Sequence, residues 1–390
     1  MSRREGKHGA HASHKATRAR RWPTSTLFVI ALAVLVAAGG GAAFALSRSG
    51  GASPSQQQHA ASTAASGPFT VASTTPASGA TNVDPGATLA VTLSQPLAAN
   101  SPLPTLSPPV AGTWARVTPT HLQFSATAPL VPSTTETLSI PGGSAGLRSA
   151  DGQTLSSTQM ASFTVAQGST LRLQQILGQL GYLPVQFTPA GTTPPQDEAD
   201  PQPGSFSWRW STLPAALTSQ WSQGTANAIT TGAVMAFEDQ HQLGVDGDAG
   251  PQVWAALLAA LQQNQANTAS YNYVLVSTAL PETVTVYENG TPAYSTPANT
   301  GVPGAPTALG TFPVYLRYAS TTMSGTNPDG STYSDPGIPW VSYFNGGDAL
   351  HGFVRPGYGY PQSDGCVEMP IANAQVVYPL TPLGTLVTVQ

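Results

Sequence analysis

Glycine and proline punctuate this chain throughout, as 39 and 36 of its 390 residues, which puts a breaker at about every fifth position. Short strands joined by many turns fit that punctuation better than helical bundles do. The length allows roughly two to four domains.

The first residues set the expected compartment. Residues 1–22 hold seven of the fourteen basic residues and one acid, and residues 27–46 carry no charge. A run of that length, at about 1.5 Å per residue, covers the roughly 30 Å hydrocarbon core of a bilayer. The expectation is a basic cytoplasmic tail at 1–22 and one transmembrane anchor at 23–46, with the rest of the chain on the cell-wall side. A cleaved signal peptide is the competing reading, because Ala43, Phe44 and Ala45 have the small-residue form of a cleavage site. The protein would then be secreted. Beyond residue 48 six basic residues stand against seventeen acids, a formal charge of −11. Such a balance draws the chain neither to nucleic acid nor to anionic lipid.

Residues 47–67 have almost no large apolar side chain and read as a linker. From 68 to 166 short alternating runs recur, such as Leu89 to Leu93 and Thr137 to Ile140, with turn clusters between them. Period-two alternation with a turn about every ten residues points to an immunoglobulin-like β-sandwich. Between 169 and 266 the period changes. Leu173, Ile176, Leu177 and Leu180 recur at helical spacing, a second helix runs near 229–241, and Pro251 opens a third. An insertion at 184–224 carries Trp208, Trp210 and Trp221, which either cap this helical core or line a sugar-binding face. From 271 to 390 strand signals return and give a compact, mostly antiparallel β domain.

Cys366 is the only cysteine in the sequence, so no internal disulfide can form and the exported domains depend on their cores. The bland reading of Cys366 is a small buried hydrophobe, and of His351 a satisfied core histidine. A lone thiol in a Ser363-Asp364-Gly365-Cys366 turn, with His351 a short hairpin upstream, also has the parts of a nucleophile and its base.

His351-Gly352 followed by Ser363-Asp364-Gly365-Cys366-Val367 resembles the signature of the YkuD-type L,D-transpeptidases. The run Thr307-Ala308-Leu309-Gly310-Thr311-Phe312-Pro313-Val314 resembles that family's Thr-X-X-Gly-X-Phe-X-Val strand entry. The opening of the 68–166 segment resembles bacterial Ig-like domains, and 169–266 resembles the three-helix peptidoglycan-binding module. The expected architecture is therefore multidomain and mainly β: an Ig-like sandwich, a small three-helix bundle and a β-rich catalytic domain behind one transmembrane helix.

The resemblance implies a cysteine acyltransferase of peptidoglycan. Cys366 would attack a donor tetrapeptide stem and release D-alanine, and an amine of an acceptor stem would take the acyl group to give a 3-to-3 cross-link. His351 would be the base and proton donor, oriented by the Gly352 carbonyl. The N–H groups of Asp364, Gly365 and Cys366 would form the oxyanion hole, and Ser363, Tyr333, Tyr343, Arg355 and Glu368 would contact substrate. No metal or organic cofactor is implied. Asp364 and Glu368 stand where many family members have His and Asn or Arg. A carboxylate there disfavours the thiolate unless it pairs with imidazolium. Water as acceptor would make the same site an L,D-carboxypeptidase, and a wall-binding protein without activity is the rival from another class. The catalytic reading requires a sulfur that faces the imidazole and that a substrate can reach.

Overall fold

The computed structural model describes residues 67–191 and 199–390. The expected tail, anchor and most of the linker, at 1–66, lie outside the described residues. Among the described residues no helix is long and apolar enough to cross a membrane.

The first domain is a sandwich of β1 (Val71–Thr75), β2 (Leu89–Leu93), β3 (Thr105–Ser107), β4 (Gly112–Thr118), β5 (His121–Ala126), β6 (Thr135–Ile140) and β7 (Gln159–Thr164). One sheet runs β1-β2-β5-β4 and the other β3-β6-β7. Alternation aims Val91, Leu93, Leu122, Leu138 and Ile140 into one shared core.

The next segment comprises α1 (Thr170–Gln179), the hairpin β8 (Val185–Pro189) and β9 (Gly204–Trp208), α2 (Ala215–Thr218), α3 (Ala228–Gln240) and α4 (Pro251–Gln262). Ser169 caps α1 by accepting from the Arg172 N–H, and Asn227 caps α3 from the Thr230 N–H. Leu173, Ile176, Phe237, Trp254 and Leu257 meet in the centre. Trp208, Trp210 and Trp221 are partly buried against that core, which is the packing rather than the sugar-facing alternative. Trp210 also reaches Tyr271, 6.0 Å between ring centres.

The final segment contains β10 (Asn272–Ser277), β11 (Thr283–Glu288), β12 (Thr291–Pro297), β13 (Gly310–Pro313), β14 (Leu316–Thr326), β15 (Thr332–Asn345), β16 (Asp348–Gly352), β17 (Val367–Met369), α5 (Ile371–Val377) and β18 (Leu386–Val389). They form two sheets, β12-β11-β10-β18-β13 and β14-β15-β16-β17. Two pairs are parallel, β10 with β18 and β16 with β17. The run 312–318, which reads as one strand, is split between the two sheets: β13 keeps its backbone pairing as far as Val314, whose N–H donates to the Thr385 carbonyl, and β14 begins at Leu316. Residues 340–344, which read as a strand, form the end of β15, whereas the rest of the β14–β15 hairpin and α5 carry no clear period in the sequence.

The five-stranded sheet is covered on both faces, which accounts for the nearly continuous apolar run of β10. Val274, Val276, Val387 and Val389 face the second sheet and α5. Tyr273 and Leu386 point the other way, into the core of the helical segment. At this junction α3 lies so close to the turn before β18 that a Cβ on Gly232 would sit 2.5 Å from the Gly384 carbonyl oxygen and 2.9 Å from the Leu386 side chain. Gly232→Val should therefore destabilise the protein by about 1–3 kcal/mol, read as a lower thermal midpoint by circular dichroism. An unchanged midpoint would mean that the helices rest loosely on the sheet.

Candidate active site

The parallel register of β16 and β17 assembles the site. Leu350 pairs with Val367, His351 with Glu368 and Gly352 with Met369, so Cys366, one residue earlier, comes alongside Ala349. Because successive residues point to opposite faces, Leu350, Val367 and Met369 enter the apolar core. His351, Ala349, Cys366 and Glu368 share the other face. The expected hairpin between His351 and Cys366 is instead a crossover through 353–366, since the two strands run parallel.

His351 is fully buried, and its Nδ1 lies 3.1 Å from the Gly352 carbonyl oxygen. A carbonyl can only accept, so Nδ1 carries the proton and donates, leaving Nε2 as the lone-pair nitrogen. That Nε2 is buried and has no hydrogen-bond partner. Burial holds the imidazole below its usual value, against the opposing pull of Glu368. The ring is therefore a neutral base with a free lone pair.

Cys366 is also fully buried. Burial pushes its thiol well above the usual range; the Ala349 N–H works against this, while the charges of Asp348, Glu368 and Asp364 add to it. Its Sγ donates to the Gly347 carbonyl at 3.6 Å. The resting pair is thiol and neutral imidazole. Met323, Tyr333 and Tyr343 of the β14–β15 hairpin pack over the sulfur, so the condition that substrate can reach it is not met in this arrangement. Burial raises both tyrosine hydroxyls, with the nearby sulfur contributing. The Tyr333 hydroxyl is buried with no partner.

Three residues expected to contact substrate, Ser363, Arg355 and Glu368, are instead engaged within the fold. Ser363 is fully buried: its hydroxyl donates to the Cys366 carbonyl at 2.5 Å and accepts from the Gly365 N–H at 3.2 Å. It braces the cysteine turn from inside, and it takes the Gly365 N–H that was expected in the oxyanion hole. Gly365 adopts φ +114, which L side chains rarely take. Arg355 and Glu368 are committed to each other, through Nε to Oε2 at 2.7 Å and Nη2 to Oε1 at 2.8 Å. Arg355 also donates to the Gln362 carbonyl and lies over the Phe353 ring, so it ties down the crossover. Asp364, only 6% exposed, acts electrostatically on this guanidinium. Trp340, nearby on β15, packs on Tyr378 and against the apolar core that Leu350 and Val367 enter.

Other residues were not legible beforehand. Asp335 stands two positions from Tyr333 on β15, with a buried, unpartnered Oδ2 whose charge acts on both His351 and Tyr333. Asp348 accepts from the Ala308 N–H at 3.1 Å. Thr307 accepts from the Gly301 N–H, and the Val302 N–H donates to the Ser363 carbonyl. The 307–314 motif thus supports the cysteine turn from below.

Residues 271–389 match the family model described as YkuD, the L,D-transpeptidase catalytic domain, and residues 65–165 match Big_5, the bacterial Ig-like domain. Neither family model reaches the helical segment. No curated protein sequence matches the chain. Among solved structures, the catalytic domain of an E. faecium L,D-transpeptidase is 26% identical over 32% of this chain and 100% of that one, with a TM-score of 0.29. The L,D-transpeptidase from Mycobacterium smegmatis is 14% identical over 83% and 100% of the two chains, at 0.28. L,D-transpeptidase 3 from Mycobacterium tuberculosis is 14% identical over 82% and 98%, also at 0.28.

Removing Arg355 would leave the Glu368 carboxylate buried and unpaired, so Arg355→Ala should cost about 3–5 kcal/mol in urea unfolding. In whatever fraction stays folded, His351 should titrate at higher pH by NMR, because the cation that lowers it is gone while Glu368, which raises it, remains. A downward shift would contradict this electrostatic assignment. The arrangement of an Ig-like sandwich, a helical segment and a β-rich C-terminal domain with a cysteine and a histidine on one sheet face, together with the two matches, identifies a chain that carries a YkuD-type L,D-transpeptidase catalytic domain and a bacterial Ig-like domain.

Proposed function

We propose that this protein is an exported peptidoglycan L,D-transpeptidase that forms 3-to-3 cross-links through a thioester on Cys366. The observation that carries the reading is the unpartnered Nε2 of His351 on the sheet face that also holds Cys366. A buried nitrogen acceptor with nothing to accept is costly unless it has a task, and deprotonating a neighbouring thiol is such a task. On this reading the proton of Cys366 passes to His351 Nε2 as the sulfur attacks the donor carbonyl, and His351 returns it to the departing D-alanine amine. The N–H groups of Asp364 and Cys366 face the developing oxyanion, while Tyr333 and Tyr343 line the approach. An acceptor amine then takes the acyl group and frees the sulfur.

The uncharged run at 27–46 behind a basic tail supports export and anchoring at the membrane. The runs Leu180-Gly181-Tyr182 and Val245-Asp246-Gly247, which resemble motifs of the three-helix peptidoglycan-binding module, support contact with peptidoglycan.

Incubation with a tetrapeptide stem should give a Cys366 acyl adduct by mass spectrometry, together with released D-alanine. Both should vanish in Cys366→Ala. No adduct on the native protein would favour a binding protein without catalysis. Hydrolysis that dominates at saturating acceptor would make the protein a carboxypeptidase.

The chemistry also requires the tyrosine cover to open. The hairpin has a natural break, where the register shifts between Thr321 and Met323, opposite Gly337 at φ +75. Met323, Tyr333 and Asp335 all sit beyond it. Tyr333→Ala should speed alkylation of Cys366 by iodoacetamide about tenfold, the factor that 1.4 kcal/mol of cover would give. In the native protein the rate should still be climbing at pH 9, since burial holds the thiol above that value. A plateau near neutral pH would show a preformed thiolate instead.

A further inference from the structure

A second candidate site lies away from the catalytic domain, where the Ig-like sandwich meets the start of α4. The cavity there measures about 380 Å³ and is lined by residues 108–111 and 128–131, by Thr134 and Glu136, and by Pro251, Gln252 and Ala255. No residue of 271–390 contributes. Beside it the two units are in true contact, since Val131 packs against the helical core.

Glu136 is the anomaly. On β6 the inward row reads Glu136, Leu138, Ile140, all at 2% exposure or less, so a carboxylate occupies a position where alternation calls for an apolar side chain. Its Oε2 is buried without a hydrogen-bond partner, and no lysine, arginine or histidine lines the cavity. Burial raises its carboxyl above the ordinary value. Such a group persists at a cost unless something else supplies a donor. The first turn of α4 lines the same cavity through Pro251 and Gln252, and its cap, Gly250, has no side chain to offer, so the helix start leaves N–H groups for an acceptor.

The remaining wall is proline, alanine, valine and leucine, and it contains no aromatic ring. Sugar rings are usually held on aromatic faces, so this lining favours a chain of small aliphatic side chains. A peptide also presents both of the missing partners, an N–H or ammonium for Glu136 and a carbonyl or carboxylate for the α4 terminus. We propose that this cavity binds an alanine-rich segment of a stem peptide, with its N–H donor on Glu136 and its carbonyl toward the first turn of α4. The proposal rests on the peptidoglycan reading for the source of the peptide, and on the cavity alone for its chemistry. It would hold the catalytic domain on the strand that it modifies by a second, separate attachment.

The test uses the full chain with isotope-labelled threonine and alanine methyls, titrated with a tetrapeptide stem, tri-alanine or N-acetylglucosamine. Thr134 and Ala255 should shift with both peptides and not with the sugar. Glu136→Gln should weaken this binding at least tenfold. Ala255→Trp, which fills the cavity from an exposed helix position, should abolish it. Both variants should form the Cys366 adduct at the native rate. Shifts that persist in Ala255→Trp would overturn the proposal, as would shifts with the sugar alone. So would an absence of shifts in a protein whose Cys366 still acylates. Loss of the adduct in the native protein, with peptide shifts retained, would instead overturn the catalytic reading and leave the cavity's chemistry standing.

Discussion

The parallel pairing of β16 with β17 is the constraint on which the candidate site depends. It turns a two-strand ribbon into a partition, with Leu350, Val367 and Met369 in hydrocarbon on one side and His351, Cys366 and Glu368 on the other. A slip of one residue would exchange the two sets and drive a histidine, a thiol and a carboxylate into the core. The energy that fixes the register is therefore the burial of three apolar side chains, at roughly 1.5–3 kcal/mol each. The geometry of the chemistry follows from core packing.

Electrostatics then decides the resting state. Asp348, Asp364 and Glu368 all disfavour a thiolate at Cys366, and burial does so more strongly. Arg355 answers Glu368 with a bidentate pair, so the cation is used within the fold and is not left to stabilise sulfur. A neutral thiol beside a neutral imidazole, under two tyrosines and a methionine, is a poorly reactive state. On the proposed export to the cell-wall side, where conditions are oxidising, this has a consequence for the only cysteine, because oxidation needs both thiolate character and access. The same cover that keeps a substrate out also keeps oxidants out.

How much of this could be read beforehand follows the range of each interaction. Local signals carried well: Pro251 opening α4 and alternation through the sandwich; the Gly352 carbonyl beside His351, which the resemblance implied, needs no distant partner either. What escaped was non-local. The long β14–β15 hairpin is rich in Ser and Thr, and its strands exist because they pair with each other and with β16. Asp335 was invisible for that reason. Arg355 was expected at a stem carboxylate as one of only six basic residues beyond residue 48, Glu368 at an acceptor amine, and Ser363 at the substrate beside the nucleophile. The sequence gives no sign that crossover 353–366 folds back to bury them against one another. The parallel sense of β16 and β17 was equally hidden, since the fourteen residues of 353–366 suffice for either a hairpin loop or a crossover.

The helical segment changes meaning once its packing is seen. As a sequence it reads as a separate bead between sandwich and catalytic domain, yet Tyr273 and Leu386 of the catalytic sheet are members of its core. Thr212 donates to the Gly290 carbonyl, and Trp210 lies against Gly290. β18, which carries Leu386, sits between β10 and β13 in the sheet that backs the catalytic ribbon. The helices thus close the otherwise exposed face of that sheet, and without them Tyr273 and Leu386 would be left to water on a strand buried from the other side. A fold that needs this cover cannot treat the helical segment as a detachable anchor. Whatever the helices bind, they bind as one wall of the catalytic body.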